Sequence, residues 1–242
     1  MGCEFSIANI SSAIFDCSAP DLDSCPDESL PEFAFVGRSN VGKSSLLNML
    51  AGEQGLARVS TTPGFTKLIN TFTMNKCWRL VDLPGYGFAH GARKHRAWFN
   101  EAVVDYLENR TNLCLVFALI ESGLAPQEID LEFVEWLVRH AVPFVLVFNK
   151  TDKVSAATVQ TNIAAFTDGI SAWFEKLPAV FTCSAATRQG RQELLGVIDE
   201  EMMAINATSI RARVPPESSP NLSMEARVRE NRKRRPDLNR PW

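Results

Sequence analysis

Short, unbroken apolar runs alternate along this chain with stretches in which apolar residues recur every three or four positions. The runs Phe33–Val36, Leu68–Met74, Cys77–Val81, Leu113–Ile120, Phe144–Phe148 and Ala179–Cys183 read as six strands. Leu113–Ile120 and Phe144–Phe148 are continuously apolar, as expected of strands covered on both faces. Asn75-Lys76, between the second and third runs, suits a tight hairpin turn. Helical stripes fall in between: Trp98/Phe99, Ala102/Val103 and Tyr106/Leu107; Ile129, Phe133 and Trp136/Leu137; Val159, Ile163, Phe166, Ile170 and Trp173. Pro126 suits the first turn of the second of these, and Leu194–Ile205 gives a last helix. This alternation predicts an α/β fold: a six-stranded, mainly parallel sheet with one antiparallel strand and helices on both faces.

Composition narrows the class. The 242 residues are 45% hydrophobic and 22% charged, which excludes a disordered, collagen-like or coiled-coil chain. The longest apolar runs are far too short to cross a bilayer, so no stable membrane association is expected. The first thirty residues are acidic and no Lys or Arg precedes Arg38, which argues against a secretory or organelle leader and for a cytoplasmic protein. The opening Met1-Gly2-Cys3-Glu4-Phe5-Ser6 fits the myristoylation pattern and is read as a chance match. Six cysteines, with no C-x-x-C pair, suggest buried thiols in a reduced compartment. Net charge is −3, but it is unevenly spread: residues 209–242 carry nine basic against four acidic side chains, +5 locally, leaving −8 elsewhere. The expected organisation is an extension over 1–29, one domain over 30–206, and a Pro-containing linker with a basic tail over 207–242.

Chemistry enters at Gly37-Arg38-Ser39-Asn40-Val41-Gly42-Lys43-Ser44, which fits G-x-x-x-x-G-K-[ST] and lies between a strand and a helix start. Such a loop curls its N–H groups around phosphate oxygens at a helix N-terminus. Lys43 would then reach the β- and γ-phosphates and Ser44 would ligate Mg²⁺. Asn149-Lys150-Thr151-Asp152 follows the strand Phe144–Phe148, at its carboxyl end. The Asp152 carboxylate can accept from guanine N1–H and its exocyclic amine, a pair adenine cannot offer. Lys150 can lie along the base plane, and Asn149 can tie this loop to the phosphate loop. In Asp82-Leu83-Pro84-Gly85, Asp82 can hold Mg²⁺ through water and Gly85 N–H can meet the γ-phosphate. Ser184-Ala185 can offer backbone N–H groups to the base.

Together these residues resemble the Ras-like P-loop GTPases and, more narrowly, the EngB (YihA/YsxC) ribosome-assembly GTPases of the Era/TrmE/EngA group. The phosphate loop, continued by Ser45, matches that family residue for residue; Thr62-Pro63-Gly64-Phe65-Thr66 resembles its switch I; Asp82-Leu83-Pro84-Gly85-Tyr86-Gly87 matches its D-L-P-G-Y-G. The resemblance runs from about Leu30 to Ile205. It implies GTP and GDP binding, hydrolysis, Mg²⁺, and association with the large ribosomal subunit or its precursor, as a monomer in the cytoplasm. It makes Thr66 the switch threonine on Mg²⁺ and the γ-phosphate, places Gly64 beside the nucleotide, and groups Lys43, Thr66 and Gly85 as the catalytic set.

Two positions depart from the family pattern: Phe65 replaces a usual Arg or Lys, and Glu121 a usual Asp. Tyr86 stands where Ras-type enzymes carry a water-orienting Gln, so slow unaided hydrolysis is expected whether the phenol faces the site or packs away from it. In related GTPases an Asn at the position of Asn40 accompanies a K⁺ ion beside the phosphates. The basic tail could neutralise ribosomal RNA phosphates, or serve only as a solvated tail. His90 and His95 fall in the expected switch II. The alternatives are a GTPase of the same superfamily acting in cell division or membrane dynamics, and a nucleotide kinase, against which Asp152 speaks.

Overall fold

The computed structural model describes residues 10–57, 68–87 and 101–213. Seven strands form a single sheet: β1 (Ala13–Ala19), β2 (Glu32–Gly37), β3 (Ile69–Met74), β4 (Trp78–Asp82), β5 (Leu113–Glu121), β6 (Phe144–Asn149) and β7 (Val180–Thr182). Their spatial order is β1-β3-β4-β2-β5-β6-β7. The helices are α1 (Lys43–Ala51), α2 (Glu101–Asn109), α3 (Glu128–Arg139), α4 (Ala156–Ile170) and α5 (Arg191–Arg213). All six expected strands are present within a residue or so of their expected ends.

The seventh strand corrects the expectation of six. β1 comes from the segment before Leu30 and pairs antiparallel with β3, with Ala13 opposite Met74 and Ala19 opposite Ile69. Its sequence, Ala-Ile-Phe-Asp-Cys-Ser-Ala, is broken by Asp16 and Ser18 and so forms no continuous apolar run; the strand lies at the sheet edge, with Ile14 and Phe15 half exposed. β3 is antiparallel to both of its neighbours, so it alone runs against the other six strands. The hairpin from β3 to β4 turns at Asn75 and Lys76, both at positive φ (50° and 57°), which matches the twist of the flanking strands. The Asn75 side-chain oxygen accepts from the Ser11 and Ser12 amides at 2.8 and 3.1 Å, tying the entry to β1 to this turn.

Alternation within strands divides the core into two layers. Phe33 and Phe35 of β2, with Leu115, Phe117 and Leu119 of β5, pack under α1 and α5. Ala34 and Val36, with Val116, Ala118 and Ile120, pack under α2, α3 and α4. Two helix boundaries differ from expectation. Pro126 precedes the Gln127 cap rather than lying in the first turn of α3. α5 continues past Ile205 to Arg213, through Ala and Arg residues that favour helix and before the next breaker, Pro215. The chain divides into two units, Met1–Ala204 and Ile205–Trp242; the sheet lies wholly within the first. Among the described residues no helix is long and apolar enough to cross a membrane.

Candidate nucleotide site

β2 sits where the strand order reverses, with β4 on one side and β5 on the other, and the chain leaves its carboxyl end directly into the phosphate loop. Two positive-φ residues, Asn40 (67°) and Gly42 (99°), curl that loop. Gly42 caps α1 without any side-chain hydrogen bond to the helix start, so the first-turn N–H groups of α1 have no side chain on them. The loop is also crowded from behind. A Cβ on Gly42 would fall 2.7 Å from the Asn149 amide nitrogen, in addition to the backbone strain at its positive φ.

Lys43, only 7% exposed, donates from Nζ to Oδ1 of Asp82, the last residue of β4. An amine at the start of α1 and a carboxylate at the end of β4 therefore meet beside the loop. Ser39 Oγ is buried and has no hydrogen-bond partner among the described residues. A nucleotide phosphate with its Mg²⁺ suits this donor set: an uncapped helix start, a buried amine, a carboxylate and an unpartnered hydroxyl. Gly85 approaches the loop so closely that a Cβ there would lie 3.0 Å from the Gly37 carbonyl and 3.2 Å from the Ser39 amide nitrogen.

The base side is assembled from β6 and β7. Asn149 Nδ2 donates to the Val41 carbonyl at 3.0 Å, the tie between base loop and phosphate loop expected from sequence. Lys150 takes positive φ (65°), and its Nζ reaches Glu121 Oε1 at 3.2 Å. Glu121, a departure from the family pattern, thus steadies the very side chain proposed to lie along the base. Asp152 Oδ1 accepts from the Ser184 hydroxyl at 2.7 Å, and this hydrogen bond holds the carboxyl below its ordinary range. Ser184 departs from expectation in one respect. Its amide donates to the Gln189 carbonyl at 3.2 Å, so its contribution runs through Asp152, while Ala185 lines the cavity itself.

That cavity has a volume of about 780 Å³ and is lined by Gly42, Ser45, Asn149, Lys150, Asp152 and Ala185 among the expected residues. Sequence reasoning missed Asn48, Arg188 and the Gly52–Gly55 turn, which also face it. Asn48 lies within α1, and nothing local marks it. Its side chain donates to the Ala57 carbonyl at 2.9 Å and accepts from the Ala57 amide at 2.7 Å, fixing the turn after α1.

Tyr86 is packed away from the site. It is 2% exposed, its ring lies 4.7 Å from that of Phe133, and its hydroxyl donates to Asp130 Oδ1 at 2.9 Å. Arg38, expected in the phosphate cradle, turns its side chain to the same carboxylate, with Nε 2.9 Å from Oδ1. Burial pushes the Asp130 carboxyl up against the opposing pull of Arg38, and burial likewise raises the Tyr86 phenol. Gly64, Phe65 and Thr66 of the expected switch I, His90 and His95, and the basic tail beyond Arg213 lie outside the described residues. Cys17, Cys25, Cys114 and Cys183 carry free thiols, and burial raises Cys25 to about 11 and Cys183 to about 12, which keeps both protonated and unreactive.

A phosphate loop at a strand-to-helix turn, a facing carboxylate and an N-K-x-D loop, all at the carboxyl ends of the strands, define a P-loop GTPase. The family model described as 50S ribosome-binding GTPase matches residues 32–150. A probable GTP-binding protein EngB of Bacteroides fragilis is 44% identical over 198 residues, which cover 82% of this chain and 98% of that protein. The counterpart from Cytophaga hutchinsonii is 46% identical over 188 residues, 78% of this chain and 94% of its own. The chain belongs to the EngB family of GTP-binding proteins. A crystal structure of a probable GTP-binding protein EngB superimposes with a TM-score of 0.56 at 25% identity, covering 72% of this chain and 99% of that one. Era bound to MgGDPNP and a segment of 16S ribosomal RNA shares the fold at a TM-score of 0.54 and 22% identity, covering 80% of this chain and 59% of that one.

Proposed function

We propose that this GTPase is a GTP-dependent switch in assembly of the large ribosomal subunit, hydrolysing GTP slowly until it meets the particle. The observation that carries the nucleotide reading is the convergence, at the carboxyl ends of the strands, of Lys43 with Asp82 and of Asn149 with the Val41 carbonyl. In this reading Lys43 and the loop amides from Gly37 to Ser45 take the phosphates, and Asp152 reads guanine. Ser44, Thr66 and, through water, Asp82 would hold Mg²⁺, which would supply neutralisation of the phosphate charge. Gly85 N–H orients the γ-phosphate. Slow turnover follows from Tyr86, whose hydroxyl is spent on Asp130 and is not free to orient a water. The ribosomal partner is supported by the description of the matching family. The working state is a cytoplasmic monomer whose basic tail meets ribosomal RNA.

One experiment tests both halves. Asp152→Asn exchanges an acceptor for a donor and should move base preference from guanine to xanthine. Large-subunit precursors should then co-sediment with the variant loaded with a non-hydrolysable xanthosine analogue, and not with its guanosine counterpart. Unchanged guanine preference sinks the base assignment; a xanthosine-loaded variant that ignores the particle sinks the ribosomal role. A finer part of the same reading places K⁺ beside Asn40, so hydrolysis should rise when KCl replaces NaCl at equal ionic strength. Equal rates in the two salts remove the ion from the reading.

A further inference from the structure

Asp130 lies in the first turn of α3, outside every motif that marks the nucleotide site, and is completely buried. An anion suits a helix start, but its side chain is spent on two other elements. Arg38 Nε donates to its two oxygens at 2.9 and 3.0 Å, and the Tyr86 hydroxyl donates to Oδ1 at 2.9 Å. Arg38 belongs to the phosphate loop, and Tyr86 is the residue after Gly85. The backbones of those two segments are themselves bridged: Tyr86 N–H donates to the Gly37 carbonyl at 3.2 Å, and Ser39 N–H donates to the Tyr86 carbonyl at 3.1 Å. The stem of Arg38 also lies over Gly87, at positive φ (87°), where a Cβ would fall 3.8 Å from Arg38 Cγ and 3.3 Å from Ile129 Cδ1.

We propose that Asp130 is a positioning residue for hydrolysis: one buried carboxylate sets the phosphate loop through Arg38 and the Gly85 amide through Tyr86, and couples both to helix α3. This rests on the assignment of Gly85 to the γ-phosphate. If packing alone were required at this position, an apolar side chain would serve without the cost of burying charge. What an apolar side chain cannot do is hold a guanidinium and a phenol at fixed separation. Tyr86 is adjacent to Gly85, so any drift of its ring displaces the amide that must meet the γ-phosphate. Displacements near an ångström at a reacting group are costly in rate. A shift of α3, with Asp130 in its first turn, would therefore be felt at the phosphates.

The test is single-turnover hydrolysis, with GTP and GDP affinities and thermal midpoints, in Tyr86→Phe, Asp130→Asn and the double variant. Tyr86→Phe keeps the ring on Phe133 and removes one hydrogen bond, so it carries the test even if Asp130→Asn folds poorly. Each single variant should slow hydrolysis roughly ten-fold while GDP affinity stays within about two-fold, a split that a general loss of structure would not produce. The double variant should be no slower than Asp130→Asn, because the phenol acts through the carboxylate. Unaltered hydrolysis in folded Tyr86→Phe, or multiplying losses in the double variant, overturns the inference. Failure of the unmodified protein to bind GDP overturns the site assignment itself, and this inference with it.

Discussion

A carboxylate that is to read guanine, the role proposed for Asp152, must remain ionised and must point one way, and a single hydroxyl serves both conditions. The Ser184 hydrogen bond lowers its pKa from the ordinary 3.8. Because the folded value lies below the unfolded one, the interaction stabilises the fold above about pH 4 and is lost as pH falls through the depressed value. Ser184→Ala should let the Asp152 carboxyl titrate nearer 3.8, as followed by carboxyl NMR. It should also weaken GDP binding by about 1 kcal/mol, near five-fold, as expected for one aligned hydrogen bond. An Asp152 titration unmoved by the change would show that the hydroxyl does not set its ionisation. At this scale the base-reading residues were legible in N-K-x-D, since they are neighbours in the chain. The support from Ser184 was not, because its hydroxyl reaches across 32 positions to a partner the chain brings near only by pairing β6 with β7. Tyr86 is a third case: its presence was legible, but which way the phenol faces depended on Asp130 and Phe133.

Helix α1 shows how an element can be legible while its moorings are not. The Lys-Ser-Ser-Leu-Leu-Asn-Met-Leu stripe predicts the helix, and Leu46, Leu47 and Leu50 are buried as its period requires. What ends it is shared between three sources. Gly52 at positive φ (73°) turns the chain, Arg191 of α5 donates to the Met49 and Leu50 carbonyls at 2.9 Å each, and the Asn48 amide holds Ala57 from both sides. Asn48→Ala would leave the Ala57 N–H and C=O without these partners, and Ala57 is 2% exposed. The expected cost is about 1–3 kcal/mol in urea unfolding. Nucleotide should also dissociate faster if it binds as proposed, because Asn48 and the turn it fixes line the cavity beside Asp152. Stopped-flow release of a fluorescent GDP checks this, and an unchanged off-rate would confine Asn48 to stability.

At the scale of the whole molecule, the end of the sheet opposite the nucleotide is closed by a buried polar cluster. Glu32, the first residue of β2, accepts from Arg110 at 2.7 and 2.9 Å and from the Tyr106 hydroxyl at 2.6 Å. Arg110 also donates to the Pro26 carbonyl at 2.6 Å, and Asn112 to the Leu30 carbonyl at 2.6 Å, so the segment carrying β1 is pinned to the body. Arg110→Met should leave the buried Glu32 carboxylate to the Tyr106 hydroxyl and to Arg79 Nη1 at 3.5 Å, and cost about 1–3 kcal/mol in equilibrium unfolding. GDP affinity of the folded fraction should hold, since β2 separates Glu32 from the phosphate loop by about 17 Å. A matching loss of affinity would mean that the two ends of the sheet are coupled.

Strand positions, helix stripes and the loops that carry the candidate phosphate and guanine motifs were determined by the sequence itself. Each depends on spacing within a few residues, where the backbone period alone decides which side chains share a face or a loop. β1 as a seventh strand, the Ser184–Asp152 contact and the Arg38–Asp130–Tyr86 cluster were decided only by tertiary structure. Arg38 and Asp130 are 92 residues apart; no local period relates them, and only the packing of α3 against the sheet brings their charges within reach.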